Sequence, residues 1–330
     1  MSQNIINPST NGNSTENIVE KSVENNPANL PEKTAEVSEA SVAQDEQVTS
    51  LGEPSPSRGF KWYDVIVILL FFLLSQGIGA FIAMSLGVTP PDQSLLTDSD
   101  FEVVENAESQ QARFVAITFV FAIIICFTAL TIYRILRKWQ SHISFRSPSW
   151  GAPFRLLCGY LLLWCVSIAI EPVIMRLPSD QSVLGSGGWL LLSAVMLAPL
   201  LEEVVFRGYI TSGLQYAYGP ITAWFISSLI FGIAHGDIAP AINATFCGLV
   251  LGFYYMRYRS LMLVIMLHSM NNLTACFLST VDLDQTPISD ILGGGKLYWG
   301  IYALCLVVTL LSFVRMYNGL KRLKSNKSAY

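Results

Sequence analysis

From residue 64 onward the chain is a succession of long apolar runs separated by short polar connections. The runs lie at about 64–87, 114–133, 154–175, 189–212, 220–238, 239–256, 261–279 and 298–316. A helix that crosses the hydrocarbon core of a bilayer needs about 20 consecutive, mainly apolar residues. The pattern therefore predicts an all-α, polytopic membrane helix bundle of about eight transmembrane helices. Runs five and six are the least distinct, because Gly236, Asp237 and Pro240 leave almost no loop between them. Lys61, Trp62 and Tyr63, basic and aromatic, stand just before the first run, where an interfacial anchor belongs.

Residues 1–60 break the pattern. They are rich in Asn, Ser, Glu, Pro and Thr, carry nine acids against three bases and hold no aromatic residue before Phe60. Such a segment cannot bury enough apolar surface to offset its ordering entropy, so it is expected to be a disordered acidic tail. Its start lacks the basic and apolar regions of a signal peptide. The organisation that follows is a tail over 1–60, three helices with their loops over 61–188, a polar-bearing core over 189–280, and a last helix with a basic tail over 281–330.

Charge supports the span count. Of 330 residues 52% are hydrophobic and only 13% charged, about half the charge of a soluble domain. If the N-terminus is cytoplasmic, three segments fall on the same side. One holds Arg134, Arg137, Lys138, Arg146 and Arg155, the next Arg257 and Arg259, and the last Arg315, Lys321, Arg322, Lys324 and Lys327. The opposite loops hold only Arg113, Arg176 and Lys296 among many acids. This bias predicts both termini in the cytoplasm. A net charge of −4 excludes a broadly basic nucleic-acid binder, so no nucleic-acid partner is expected. The six cysteines lie inside apolar stretches without CxxC spacing, which points to neither a disulfide framework nor a thiolate metal site.

Charged side chains within spans are costly and mark functional sites by default. The fourth run places Glu202, Glu203 and Arg207 inside its apolar stretch. Glu203 and Arg207 are four apart, the spacing at which carboxylate and guanidinium meet on one helix face. Glu202 points about 100° away and is left available for chemistry. Pro199 frees a backbone carbonyl one turn earlier, and such opened helices are tolerated where they line an enclosed or wet cavity. His235 ends the fifth run, and His268 and Asn272 share a face of the seventh. The third histidine, His142, lies in a basic loop and reads as a surface residue. Glu171, before Pro172 near the end of the third run, reads as interfacial.

A glutamate with a neighbouring histidine can deprotonate a water and later protonate a leaving amine. A second histidine and an Asn amide can donate to an oxyanion. Two imidazoles and a carboxylate can equally hold zinc with one position open, through Glu202, His235 and His268. These residue types alone do not choose between the two. HExxH, GxSxG and GxGD-type signatures are absent.

Taken in order, Glu202-Glu203-Val-Val-Phe-Arg207, Phe231-Gly-Ile-Ala-His235 and His268-Ser-Met-Asn-Asn272 resemble the EExxxR, FxxxH and HxxxN motifs of the CAAX prenyl protease type II family, which includes the bacterial CPBP or Abi proteins. The resemblance covers about 189–280. It implies an intramembrane endopeptidase in which Glu202 and His235 activate water, His268 and Asn272 hold the oxyanion, and Glu203 and Arg207 brace the site. That family has been described both as metalloproteases and as metal-independent glutamate proteases. An Asn amide is a poor zinc ligand, which favours the second, without a cofactor. The implied partners are membrane lipid and a protein or peptide substrate, prenylated in the CAAX branch, at a bacterial plasma membrane. Two other classes remain: a non-catalytic membrane scaffold or immunity protein, and a transporter with an intramembrane acid and histidine relay. With the N-terminus inside, Glu202 and His268 fall in the cytoplasmic half of the bilayer. His235 falls beyond the midplane if its helix starts at Pro220 and runs straight across.

Overall fold

The computed structural model describes residues 59–139, 151–177, 186–281, 283 and 286–325, and these are helical with short connections. The expected disordered tail and His142 lie outside the described residues. Seven helices are long and apolar enough to cross a membrane. They are α1 (Trp62–Ser85), α2 (Phe101–Leu136), α3 (Ala152–Ile174), α4 (Gly187–Tyr218), and, after a shorter α5 (Pro220–Ile233), α6 (Ile238–Tyr258), α7 (Leu261–Thr280) and α8 (Lys296–Ser325).

α5 departs from the expected run. Its 14 residues reach about 21 Å, short of the roughly 30 Å hydrocarbon core. The apolar run is longer than the helix because its last residues form a turn. Gly236 takes a left-handed φ of 82°, and Asp237 N-caps α6 in extended conformation. α5 begins at Pro220, so the depth of His235 does not come from a later start. α5 is half of a tight hairpin with α6 that stops beside the polar core. α2 departs the other way, starting at Phe101, where Asp100 accepts from the Glu102 amide at 2.9 Å. Its first turns are polar and continue the helix ahead of its apolar run.

Helices in an apolar solvent gain little from burying leucine against each other and associate through small residues instead. At the α1 and α2 contact, buried Gly79 stands against Thr118 and buried Ala122. A Cβ on Gly79 would stand 2.6 Å from the Thr118 carbonyl oxygen. The outward positions are large and apolar, including Leu73, Phe81, Ile124, Leu304 and Leu311, each more than half exposed. That distribution suits a lipid-facing surface.

Polar links tie the helix ends. Asp64, buried at the start of α1, accepts from the Tyr133 hydroxyl at 2.5 Å and from Arg137 Nη2 at 3.1 Å, joining the end of α2. Phe60 stacks on Trp139 with ring centroids 4.6 Å apart, and both crowd Gly213 of α4, where a Cβ would meet them at 2.3 and 2.6 Å. Arg259 Nη1 donates to Gln215 Oε1 at 3.0 Å between the ends of α6 and α4. Glu171 has a structural duty at the other end of α3. It is buried and accepts from the Ile288 amide at 2.9 Å, capping the one-turn helix Ile288–Ile291.

Candidate active site

α4 carries the carboxylates and is irregular around them. Leu191–Leu197 and Val204–Thr211 are π-helical, flanking the α-helical turn Ala198–Glu203. π-turns inside α-helices concentrate at functional sites. Here their cause is local. The Ala198 amide bonds Ser193 rather than Ala194, and the next residue, Pro199, has no N–H to offer. The Ala194 carbonyl is taken instead by Asn272 Nδ2 of α7 at 2.9 Å. In the second π segment the Ser212 hydroxyl donates to the Arg207 carbonyl at 3.1 Å and pairs with the Tyr255 hydroxyl at 2.8 Å. Irregular backbone thus has its partners inside the protein, as membrane depth demands.

The two adjacent glutamates have different surroundings. Glu203 is fully buried. Its Oε1 accepts from Arg207 Nη1 at 2.8 Å and from His268 Nδ1 at 2.9 Å, while Oε2 is buried without a hydrogen-bond partner among the described residues. Arg207 Nη2 also reaches the Gly248 carbonyl at 3.5 Å, and its guanidinium sits 4.2 Å above the Phe231 ring. Glu202 keeps 18% of its side chain exposed and forms no hydrogen bond among the described residues. Its Oε2 stands 3.8 Å from His268 Nε2, beyond direct hydrogen-bonding range. His268 therefore bridges the pair of acids, held by one and facing the other.

Both imidazoles are oriented through Nδ1. A carboxylate paired with Arg207 can only accept, so His268 Nδ1 carries the proton toward Glu203. His235 Nδ1 donates to the Phe231 carbonyl at 2.9 Å. Nδ1 being engaged in each ring, Nε2 is the nitrogen left for chemistry, an acceptor in the neutral ring and a donor in the imidazolium. Phe231 connects the three motifs: its ring packs edge-on against His235 at 4.8 Å and His268 at 5.8 Å, under the guanidinium of Arg207. His235 itself is exposed, in the turn after α5.

The expected residues thus partly converge. Glu202, Glu203, Arg207 and His268 form one cluster, Asn272 joins α7 to α4 a turn away, and His235 connects through Phe231. Glu202, His235 and His268 do not come together as a donor set: among the described residues no group of three His, Cys, Asp or Glu is placed to hold a metal.

Sequence reading missed the residues that bring the helices close. A Cβ on Gly232 would meet Thr245 Oγ1 at 1.9 Å and the Ala241 carbonyl at 2.5 Å, and Gly248 lies against Phe231 and Ser228. The signal was present, since Gly232 sits inside FxxxH, and Gly248 and Gly252 are four apart on α6. Gly232→Ala is expected to pry α5 from α6 at a cost of about 1–3 kcal/mol. Thermal unfolding in detergent should show a lowered midpoint; an unchanged midpoint would mean that the hairpin relaxes freely.

The described residues thus form a bundle of apolar helices around a Glu, His and Arg cluster. Residues 185–274 match the family model for Type II CAAX prenyl endopeptidase, Rce1-like. Over 77 residues the chain is 35% identical to a Bacillus subtilis (strain 168) protein named "Putative membrane peptidase YdiL", a stretch that is 23% of this chain and 32% of that protein. The chain thus matches about a third of that curated relative's length. No solved structure matches the chain.

Proposed function

We propose that the chain is an intramembrane endopeptidase of the glutamate type. The observation that carries this reading is the division between two neighbouring acids, Glu203 buried and doubly bonded, Glu202 partly exposed and without a hydrogen bond among the described residues. A general base must be accessible, and the group that fixes its neighbours must not be. In the proposed reaction Glu202, aided by His235, takes a proton from water as the oxygen attacks the scissile carbonyl. The oxyanion is held by His268, which as an imidazolium donates through Nε2, and by Asn272. The C–N bond then breaks, and Glu202 returns the proton to the leaving amine. Glu203 and Arg207 act by position: Glu203 fixes the tautomer and rotation of His268, and Arg207 neutralises Glu203.

Asn272 has two N–H donors, and one is spent on Ala194 O. The other is assigned to the oxyanion. Asn272→Ala is accordingly expected to lower kcat by about 10²–10³-fold and to lower thermal stability as well, because it orphans the Ala194 carbonyl. A stability loss with undiminished kcat would reduce Asn272 to a helix clamp.

The substrate is assigned as a protein or peptide at the membrane, with a prenylated C-terminal peptide as the first to try. The charge bias supports cytoplasmic termini and a cut near that face, and the Bacillus relative supports a bacterial plasma membrane. Cleavage of a prenylated peptide by purified full-length protein, with and without a chelator, tests the reading. Activity that survives chelation is expected. Activity abolished by chelator and restored by zinc would overturn the metal-free assignment.

A further inference from the structure

α7 has two accessible arcs of different chemistry. Met262, Met266, Leu273 and Phe277 are exposed on one, large apolar side chains that suit lipid. The other carries Asn271, Asn272, Ala275 and Ser279, small or polar, within a span where polar groups need partners. This second arc lies inside the bundle, because contacts with two other helices bound it. At one edge Cys276 packs with Leu190 and Ala194 of α4. At the other the Thr274 hydroxyl meets the Tyr160 hydroxyl of α3 at 2.6 Å. Earlier on the same face Leu261, Val264 and His268 are buried, whereas Ala275 and Ser279, about two and three turns past His268, are exposed. The inner face of α7 therefore opens just beyond the histidine.

Asn271 stands at the start of that opening, about 4.5 Å along the helix from His268 and about 60° round it. It is half-buried, and its carboxamide forms no hydrogen bond among the described residues. Its neighbours are committed. Asn272 Nδ2 donates to the Ala194 carbonyl at 2.9 Å, the Thr274 hydroxyl also reaches the Met270 carbonyl at 3.0 Å, and His268 Nδ1 is held by Glu203 at 2.9 Å. Across the imidazole, Glu202 likewise forms no hydrogen bond among the described residues. Two uncommitted polar side chains thus flank His268. An amide without a partner in a span burdens the fold, and such groups mark functional surfaces by default.

The chemistry of a carboxamide selects the partner. Asn271 offers an acceptor oxygen and two N–H donors, the complement of the N–H and C=O of a peptide unit, whereas a prenyl or acyl chain offers neither. An extended peptide advances about 3.3 Å per residue. With its scissile carbonyl between Glu202 and His268, its main chain passes Asn271 one or two residues away. We propose that Asn271 binds the substrate's main chain there, Oδ1 accepting from an amide N–H and Nδ2 donating to a carbonyl, and so holds an extended peptide across His268. This assignment rests on the protease reading and adds that recognition beside the cleaved bond is of backbone.

The test uses purified full-length protein and a farnesylated peptide, with versions methylated at one main-chain nitrogen within two residues of the cleaved bond. Asn271→Ala should lower kcat/KM about tenfold, chiefly through KM, as expected for a pair of hydrogen bonds made alike in ground and transition states. One methylated peptide should be a poorer wild-type substrate by a similar factor, and should lose nothing further with Asn271→Ala. Asn271→Leu should match Asn271→Ala in KM while keeping or raising the unfolding midpoint, since it removes an unpartnered amide. An unchanged KM in both variants, or losses from methylation and substitution that simply multiply, overturns the site. A lowered midpoint in both variants makes Asn271 a structural residue and overturns it too. A wild-type protein that cleaves none of these peptides would instead overturn the protease reading, and this assignment with it.

Discussion

Glu202→Gln is expected to lower peptide cleavage by about 10²–10⁴-fold with little change in thermal stability. The substitution keeps the shape of the side chain and removes its ability to take a proton. Its structural effect should be small because Glu202 forms no hydrogen bond among the described residues and its Oε2 stands 3.8 Å from His268 Nε2. Initial rates on a prenylated peptide, read beside unfolding curves of the same preparations, check both halves. Undiminished cleavage would remove the glutamate mechanism and place the general base elsewhere; absence of cleavage by the wild-type protein would leave the scaffold and transporter readings. A large stability loss would instead make Glu202 part of the bracing network.

Arg207→Leu is expected to act in the opposite sense, on the fold first. It leaves the Glu203 carboxylate fully buried with only His268 as a partner and with Oε2 already unpaired. Breaking a buried pair by removing one partner costs about 3–5 kcal/mol, whereas replacing both by uncharged groups of similar volume costs far less. The double substitution Glu203→Gln with Arg207→Leu should therefore be more stable than Arg207→Leu alone, a sign of coupling between the two sites. Arg207 also covers the Phe231 ring at 4.2 Å, so the single variant should loosen the packing that relates His235 to His268. Unfolding midpoints of the three variants decide the matter. If Arg207→Leu unfolds at the wild-type temperature, the ion pair carries no structural load.

The relation between sequence and site is clearest at the two glutamates. Their separation into a paired and an available acid was legible from spacing, because residues four apart on a helix are neighbours whatever surrounds them. The match of Glu203 with Arg207 at 2.8 Å is of that kind. The preference of His268 for Glu203 over Glu202 is not, since it depends on the rotation and axial offset of α7 against α4. A shift of about 1.5 Å, one residue of rise, would reverse the choice. Asn272 shows the same limit. Pro199 announced that a carbonyl would be freed, but only the packing of α7 identified Ala194 as the carbonyl that Asn272 binds.

Run length and charge bias, both properties of local composition, by themselves determined an all-α chain with spanning helices and a polar core near residues 202–272. Tertiary structure decided that α5 stops after 14 residues and that Gly232 and Gly248 bring the hairpin close enough to seat Phe231 among the three motifs. The physical reason is the range of the forces involved. Hydropathy and helical periodicity act on residues within one helix and are written along the chain. Contacts between helices arise from the fit of surfaces distant in sequence, and a single missing Cβ or N–H sets their register.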